Sequence, residues 1–313
     1  MIGRERVRPV SFSSDVKTEA ARQLPEKNCC RAAEAYGLLQ MGHAFTGTAV
    51  SLQTENAAVA ALYAQLMREI CGVKPLEITD PSEEGGKRKT YHMVTVEDTA
   101  QRRRVLERFG HTPEDVTVRL NRANLECEEC AASYMRGAFL SCGAITDPHV
   151  DYHMEFSVPY YNLSRDLMSL LGELDFYPRM VRRAGGNVVY FKESEQIEDI
   201  LTLMGAQDAS LELMNIKIVK DIRNKANRIT NCESANIDKT VAAAAVHVDA
   251  VRKIQQTCGL DALPEELREL AWLRLDNPEI SLRELSDLLP ERLSRSGVNH
   301  RLRRIVEFAD KLG

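Results

Sequence analysis

Apolar residues are not spread evenly along the chain: one short apolar helical stretch occurs twice, one hundred positions apart. Residues 30–43 read CRAAEAYGLLQMGH and residues 130–143 read CAASYMRGAFLSCG, pairing Cys30 with Cys130, Ala32 with Ala132 and Gly37 with Gly137. The same offset pairs Gly85-Gly86 with Gly185-Gly186. A constant offset of this length points to a duplicated half-domain, not a solenoid array. Glycine in a helix interior costs about 1 kcal/mol against alanine. Gly37 and Gly137 are therefore expected where the two helices cross, backbone against backbone, around a pseudo-twofold axis.

The pattern after each copy predicts the same order of elements. In the first, helix 31–41 leads to an extended region ending near Leu52. A helix opening at Thr54 follows, apolar at 58, 59, 62, 66 and 70 and ended by Gly72. Strands near 73–78 and 90–96 flank the turn-forming EEGGKRK, and a basic helix spans 99–109. In the second, helix 131–142 precedes strand 152–158, where Tyr152, Met154, Phe156 and Val158 alternate with polar residues. Helix 163–174, a hairpin over 179–191 turning at Gly185-Gly186 and helix 195–204 complete it. The first hairpin of the first copy is shortened.

From Ala209 the pattern turns all-helical. Ile216, Val219, Ile222, Ala226 and Ile229 form one apolar face, and Asn224, Asn227, Arg228 and Asn231 lie on another, with an interdomain or structural role expected for that stripe. NCES, at 231–234, is read as a break before a second helix over 237–257, stopped by Gly259. A helix begins near Pro264 and buries Leu267, Leu270 and Ala271; Asn277-Pro278 ends it. Ser281 caps a short helix carrying Leu282, Leu285, Leu288 and Leu289. Ser296 is the candidate N-cap of a last helix with Val298, Leu302, Ile305, Val306 and Ala309 inside. Helix, short helix, turn, longer helix is the helix-turn-helix order. The expected organisation is a lead-in (1–27), a duplicated α/β domain (28–208, repeats near 28–110 and 128–208), a helical linker (209–259) and a helix-turn-helix domain (260–313).

AYGLLQMGH, at 35–43, and MRGAFLSCG, at 135–143, resemble the paired LAGLIDADG helices of homing endonucleases. RNKANRITNCESANIDKTVAAA, at 223–244, and SRSGVNHRLRRI, at 294–305, are similar to the WhiA family of bacterial sporulation and cell-division regulators. That second resemblance covers essentially the whole chain, and its weaker part is the first repeat. It implies an α+β fold: a degenerate LAGLIDADG-like saddle domain followed by an all-α helix-turn-helix domain. It also implies sequence-specific DNA binding and transcription regulation in cell division, chromosome segregation or sporulation. In some lineages such regulators act with a WhiB-type iron–sulfur partner.

Composition narrows the setting. The apolar fraction of 44% and charged fraction of 28% are those of an ordinary soluble protein. The longest apolar run near the middle, 241–246, is too short to span a bilayer, and MIGRERVRPVSFSSD holds no signal-peptide core. A cytoplasmic, nucleoid-associated protein with no membrane contact is expected. The eight scattered cysteines read as free thiols of a reducing compartment. The net charge of −5 is unevenly placed: residues 1–210 carry 24 basic and 30 acidic side chains, residues 211–313 carry 17 and 16. Affinity for DNA must therefore come from a local patch.

Four constellations could carry chemistry. Metal-assisted DNA cleavage needs hard oxygen ligands at the ends of the paired helices. Gly42 and Cys142 stand there, with Gln40 and Leu140 at the other motif positions, so no catalytic residue is expected. His149, Asp151, His153 and Glu155 share a face at strand spacing and are read as a solvated polar face. The CEEC at 127–130 lies at the start of one duplicated helix and Cys29-Cys30 at the start of the other, but their spacings do not match a zinc knuckle, so no metal or cofactor is expected. The last constellation runs from Arg292 to Arg304, with five arginines and no acid. The amides and positive dipole end of the last helix add to that charge. The expected DNA contacts are Ser281, Arg292, Ser294, Arg295, Ser296, Asn299, His300, Arg301, Arg303 and Arg304. Asn299 and His300, placed in the helix's first turn, would read bases, and Arg301 and Arg304 would meet phosphates. Two alternatives stay open: a protein-interaction scaffold with auxiliary DNA binding, suited by the acidic first 210 residues, and a metal-dependent endonuclease.

Overall fold

Ser11 is extended, and its hydroxyl accepts a hydrogen bond from the Ser14 amide, which starts helix α1 (Phe12–Arg22). Its Val16, Ala20 and Ala21 are buried against the domain that follows. The computed structural model describes residues 11–84, 87–183, 185–291 and 293–312, and the chain folds as two compact units, 1–219 and 220–313.

The first unit repeats one plan. Helix α2 (Asn28–Gln40) leads into β1 (Ala44–Phe45) and β2 (Val50–Thr54), then α3 (Ala57–Leu66), β3 (Leu76–Glu84), β4 (Lys87–Thr95) and α4 (Thr99–Arg108). Helix α5 (Glu128–Cys142) leads into β5 (Gly143–Ile145), β6 (Met154–Val158), α6 (Tyr161–Glu173), β7 (Arg179–Arg183), β8 (Gly186–Phe191) and α7 (Ser194–Leu203). Both sheets are antiparallel, ordered β1-β2-β4-β3 and β5-β6-β8-β7, so the duplication extends to strand order. Strand β3 starts at Leu76 and runs on to Glu84, later and longer than the hydrophobic pattern predicts, because its outer half is polar and is held by the ladder to β4. Gly85-Gly86 lie outside the described residues. Gly185 has φ 103°, a left-handed value that suits the glycine expected at that turn.

Helices α2 and α5 are the central pair, with ten of the 13 residues of α2 and nine of the 15 residues of α5 buried. A Cβ on Gly37 would stand 2.2 Å from the carbonyl oxygen of Tyr134, and one on Gly137 would stand 2.1 Å from that of Glu34. No side chain fits either position, so the glycines permit the crossing that the repeat predicts. Tyr36, Leu38, Leu39, Tyr134, Met135 and Phe139 pack around it. Gln40, at a position where the motif has an acid, is a buried hydrogen-bonding hub: its Nε2 donates to the Arg119 carbonyl at 2.8 Å and its Oε1 accepts from Tyr134 Oη at 2.7 Å.

Helix α8 (Gln207–Thr257) is continuous over 51 residues. The break expected at NCES does not occur. Those four residues include neither Gly nor Pro, so nothing in the backbone interrupts the i to i−4 ladder. Of the apolar face expected there only Ile216 is buried, whereas Val219, Ile222, Ala226 and Ile229 are exposed. Asn224, Asn227, Arg228 and Asn231 are exposed as well. Burial resumes at Ala244, Val248, Val251 and Ile254.

In the second unit, α9 (Glu265–Asp276), α10 (Leu282–Leu288) and α11 (Arg295–Asp310) follow a 3-10 turn at Leu260–Ala262. Val251, Ile254, Leu267, Leu270, Ala271, Leu285, Leu289, Val298, Leu302, Ile305 and Ala309 form its core. Of the leucines carried by α10 and its end, Leu285 and Leu289, four apart, pack inward, and Leu288 is exposed.

Candidate nucleic-acid interface

Local chemistry sets the ends of the three helices. Glu265 and Glu266 occupy the first turn of α9, where the positive helix end favours them. Ser281 and Glu284 form a reciprocal capping box at the start of α10: the Glu284 amide donates to Ser281 Oγ at 3.3 Å, and the Ser281 amide donates to Glu284 Oε2 at 2.7 Å. Ser281 is thus a cap before it is anything else. At α11 the cap is Ser294, whose Oγ accepts from the Gly297 amide at 3.2 Å, and not Ser296 as the sequence suggests. Either serine could cap, but Ser286 Oγ donates to the Leu293 carbonyl and pins the turn just ahead of Ser294. The helix therefore starts earlier, and its first turn is Arg295–Ser296–Gly297. Asn299 and His300 fall in the second turn, a correction to the expected placement.

Two of the arginines expected to meet phosphate are turned onto their own unit. Arg301 Nη2 lies 3.1 Å from Glu291 Oε2, and Arg304 Nη1 lies 2.5 Å from Glu266 Oε1. Both acids precede the arginine-rich stretch, which is why a scan of the last helix alone overlooks them. Ser294, Arg295, Ser296, His300 and Arg303 are exposed and Asn299 is half-buried. Arg292 lies outside the described residues.

Beside this face is a cavity of about 350 Å³ whose lining includes Lys239 and His247 of α8, Arg274 of α9, Ser281 and Arg283 at α10 and Arg295 of α11. None of the described lining residues is acidic. Arg274 is only 1% exposed. Its Nη1 donates to the carbonyls of Ile280 at 2.9 Å and Asn277 at 3.3 Å, while Nε has no partner. Burial pushes this guanidinium below its ordinary pKa, and burial together with the Arg274 charge lowers His247. A buried cation without a carboxylate is expensive, and an anion at the cavity would offset that cost. Four cations around an acid-free hollow suit a phosphate. Sequence reading missed Lys239, His247, Arg274 and Arg283, because Arg274 sits among the core leucines of α9 and the others lie on α8 and α10, away from the last helix.

In the first unit, Gly42 and Cys142 line a cavity of about 1340 Å³ together with Lys17, His43, Gln53, Glu55 and Lys89. Its one described acid, Glu55, is 2.9 Å from Lys89 Nζ. His149, Asp151, His153 and Glu155 do not share a strand face, since β6 begins only at Met154. His153 Nε2 and Arg183 Nη1 lie 2.9 and 3.2 Å from Glu155 Oε2, and the His149 amide donates to Asp147. Among the described residues, one cluster has the geometry to hold a metal: Cys29, Cys30, Cys127 and Cys130.

Residues 226–309 match the family model described as the WhiA C-terminal HTH domain, and residues 131–223 match that described as the WhiA LAGLIDADG-like domain. A probable cell division protein WhiA from Thermoanaerobacter pseudethanolicus is 36% identical over 315 residues, covering 97% of this chain and 98% of the relative. The chain belongs to the WhiA family. Another relative of the same name, from Clostridium botulinum, is 35% identical and is covered over 99% of its length. The crystal structure of full-length DUF199/WhiA from Thermatoga maritima has the same fold, with a TM-score of 0.55 at 22% identity, covering 97% of this chain and 99% of that one.

The WhiA helix-turn-helix match begins inside α8, so it takes in Lys239 and His247 as well as α9 to α11. The WhiA LAGLIDADG-like match covers the second repeat and leaves out the first, whose likeness to the motif is also the weaker in sequence. All four clustered cysteines lie outside both WhiA matches.

Proposed function

We propose that this protein is a sequence-specific DNA-binding transcription regulator acting in cell division, chromosome segregation or sporulation control, located at the nucleoid. One observation carries the reading: Arg295 belongs both to the exposed first turn of α11 and to the acid-free basic cavity. A duplex laid against α11 would place base edges near Asn299 and His300 and a phosphate near Arg274, Arg283 and Arg295. The α10–turn–α11 segment is the reader. The LAGLIDADG-like domain is a scaffold without nuclease activity, since its helix ends carry Gly42 and Cys142 where cleavage would need carboxylates. A WhiB-type iron–sulfur partner belongs to the same reading in lineages that have one.

Footprinting of the purified full chain on genomic fragments should give discrete protected sites, and magnesium or manganese should add no nicking. Diffuse protection everywhere would remove sequence specificity, and metal-dependent cleavage that survives repurification would restore the nuclease. The scaffold reading keeps one supporting observation, the acidic balance of residues 1–210. If the isolated first unit bound the protected site as tightly as the whole chain does, the helix-turn-helix would not be the principal reader.

A further inference from the structure

The duplication places Cys30 and Cys130 at equivalent positions on α2 and α5, and the glycine crossing holds these helices together. Two more cysteines accompany them: Cys29 beside Cys30, and Cys127 at the N-cap of α5. All four thiols are unbridged. Cys30 and Cys130 are buried, and Cys29 and Cys127 are half-buried. The Sγ atoms of Cys127 and Cys130 are 3.4 Å apart, Cys30 and Cys127 3.5 Å, Cys29 and Cys127 3.7 Å, and Cys30 and Cys130 3.9 Å. Every pair of the four is within 4.8 Å. In a tetrahedral site with zinc–sulfur bonds of about 2.3 Å, the sulfurs stand about 3.8 Å from one another. Four of the six pairs already stand within about 0.4 Å of that separation, and the other two lie inside 4.8 Å.

We propose that Cys29, Cys30, Cys127 and Cys130 form a structural zinc site that clamps the two halves of the LAGLIDADG-like domain. Spacing and ligand chemistry together narrow the occupant. Four sulfurs this close surround a single ion, whereas the irons of a cubane cluster would hold them further apart. An all-thiolate tetrahedron favours zinc over the hard divalent cations. Binding releases the thiol protons, and four thiolates around a dication leave a net charge of −2. The N-terminal ends of α2 and α5 converge on that charge, and Lys27, the residue before α2, stands beside it while paired to Glu129 at 2.7 Å. A hollow of about 380 Å³, lined by Lys27, Cys30, Glu129, Ser133 and Arg136 among others, gives the ion a way in. With all four ligands supplied by the protein no position is open to substrate, so the ion's role is to hold the fold. The ligands come from segments about one hundred residues apart, so the metal closes a long loop between the halves.

The test uses the full chain purified from zinc-supplemented medium that also contains iron. Elemental analysis should find one zinc per chain, retained through dialysis. The metal-free protein, titrated with cobalt(II) without oxygen, should show intense thiolate-to-cobalt charge transfer and the strong visible bands of a tetrahedral ion, both reversed by one equivalent of zinc. Cys127→Ser, at the less buried edge, should lose stoichiometric zinc, while Cys232→Ser and Cys258→Ser, on exposed thiols outside the cluster, should keep it. The cobalt titration needs no variant to fold. Substoichiometric zinc with no tetrahedral cobalt spectrum would overturn the proposal, as would iron in place of zinc or full zinc retention by Cys127→Ser.

Discussion

Arg136 donates to both carboxylate oxygens of Glu34, at 2.7 and 3.1 Å, across the crossing of α2 and α5, where Glu34 is fully buried and Arg136 nearly so. Burial still holds the Glu34 carboxyl above its ordinary range against the pull of Arg136, so this pair is expensive to desolvate. Removing one partner leaves the other charged and alone. Arg136→Met is expected to cost about 3–5 kcal/mol, and Glu34→Leu combined with Arg136→Met to recover most of it. Denaturant unfolding of the single and double variants measures both. A double variant as unstable as the worse single one would show that the pair stabilises the fold rather than setting its geometry.

The glycine crossing gives a sharper steric prediction. Gly37→Ala or Gly137→Ala brings a methyl group onto the backbone of the facing helix, which has no flexible end to move aside. Each should destabilise by about 1–3 kcal/mol or more, as overpacking does, although alanine is the better helix former. A thermal midpoint unchanged in both variants would refute the close approach.

His111 supplies a pH dependence. Its Nε2 lies 2.8 Å from Tyr36 Oη and its Nδ1 3.3 Å from Asp115 Oδ2, and burial outweighs Asp115 to lower its pKa. The unfolded imidazole therefore takes a proton more readily than the folded one. The stability this provides is present above the unfolded value of about 6.5 and is lost as pH falls through the folded value. Unfolding free energies measured from pH 7.5 downward should fall below that point, and His111→Gln should flatten part of the slope. An identical slope in the variant would place the titrating group elsewhere, with His247, shifted in the same direction, as the next candidate.

Along α11, contacts to backbone and to bases should separate. Arg295→Ala removes a cation from the cavity rim. It should weaken operator and scrambled duplex alike and reduce the salt slope by roughly 1. Asn299→Ala should cost about 1–3 kcal/mol on the operator and much less on scrambled DNA. Arg301→Ala and Arg304→Ala should matter less than Arg295→Ala, because their guanidinium groups are held by Glu291 and Glu266. Salt titrations of the four variants on both duplexes provide the measurement. If Arg301→Ala or Arg304→Ala lowered the slope as much as Arg295→Ala, those pairs would have to open on DNA.

The sequence by itself determined the duplication, the glycine crossing, the order of elements in each half and the helix-turn-helix. These are carried by local spacing: a repeated offset, a period of two or 3.6, and capping residues next to the helices they start. Spacing alone did not decide the start of α11 at Ser294, since two serines could cap it and Ser286, seven residues before Leu293, made the choice. Nor did it show α8 to be unbroken, because polar residues of modest propensity look like a break but carry no backbone defect. The tertiary structure alone gathered Cys29 and Cys30 with Cys127 and Cys130, drew Arg301 and Arg304 onto acids from outside their helix, and set Arg274 on the wall of a basic cavity. Each of these joins residues from separate helices, and their separation in space depends on how those helices pack rather than on any interval that can be counted along the chain.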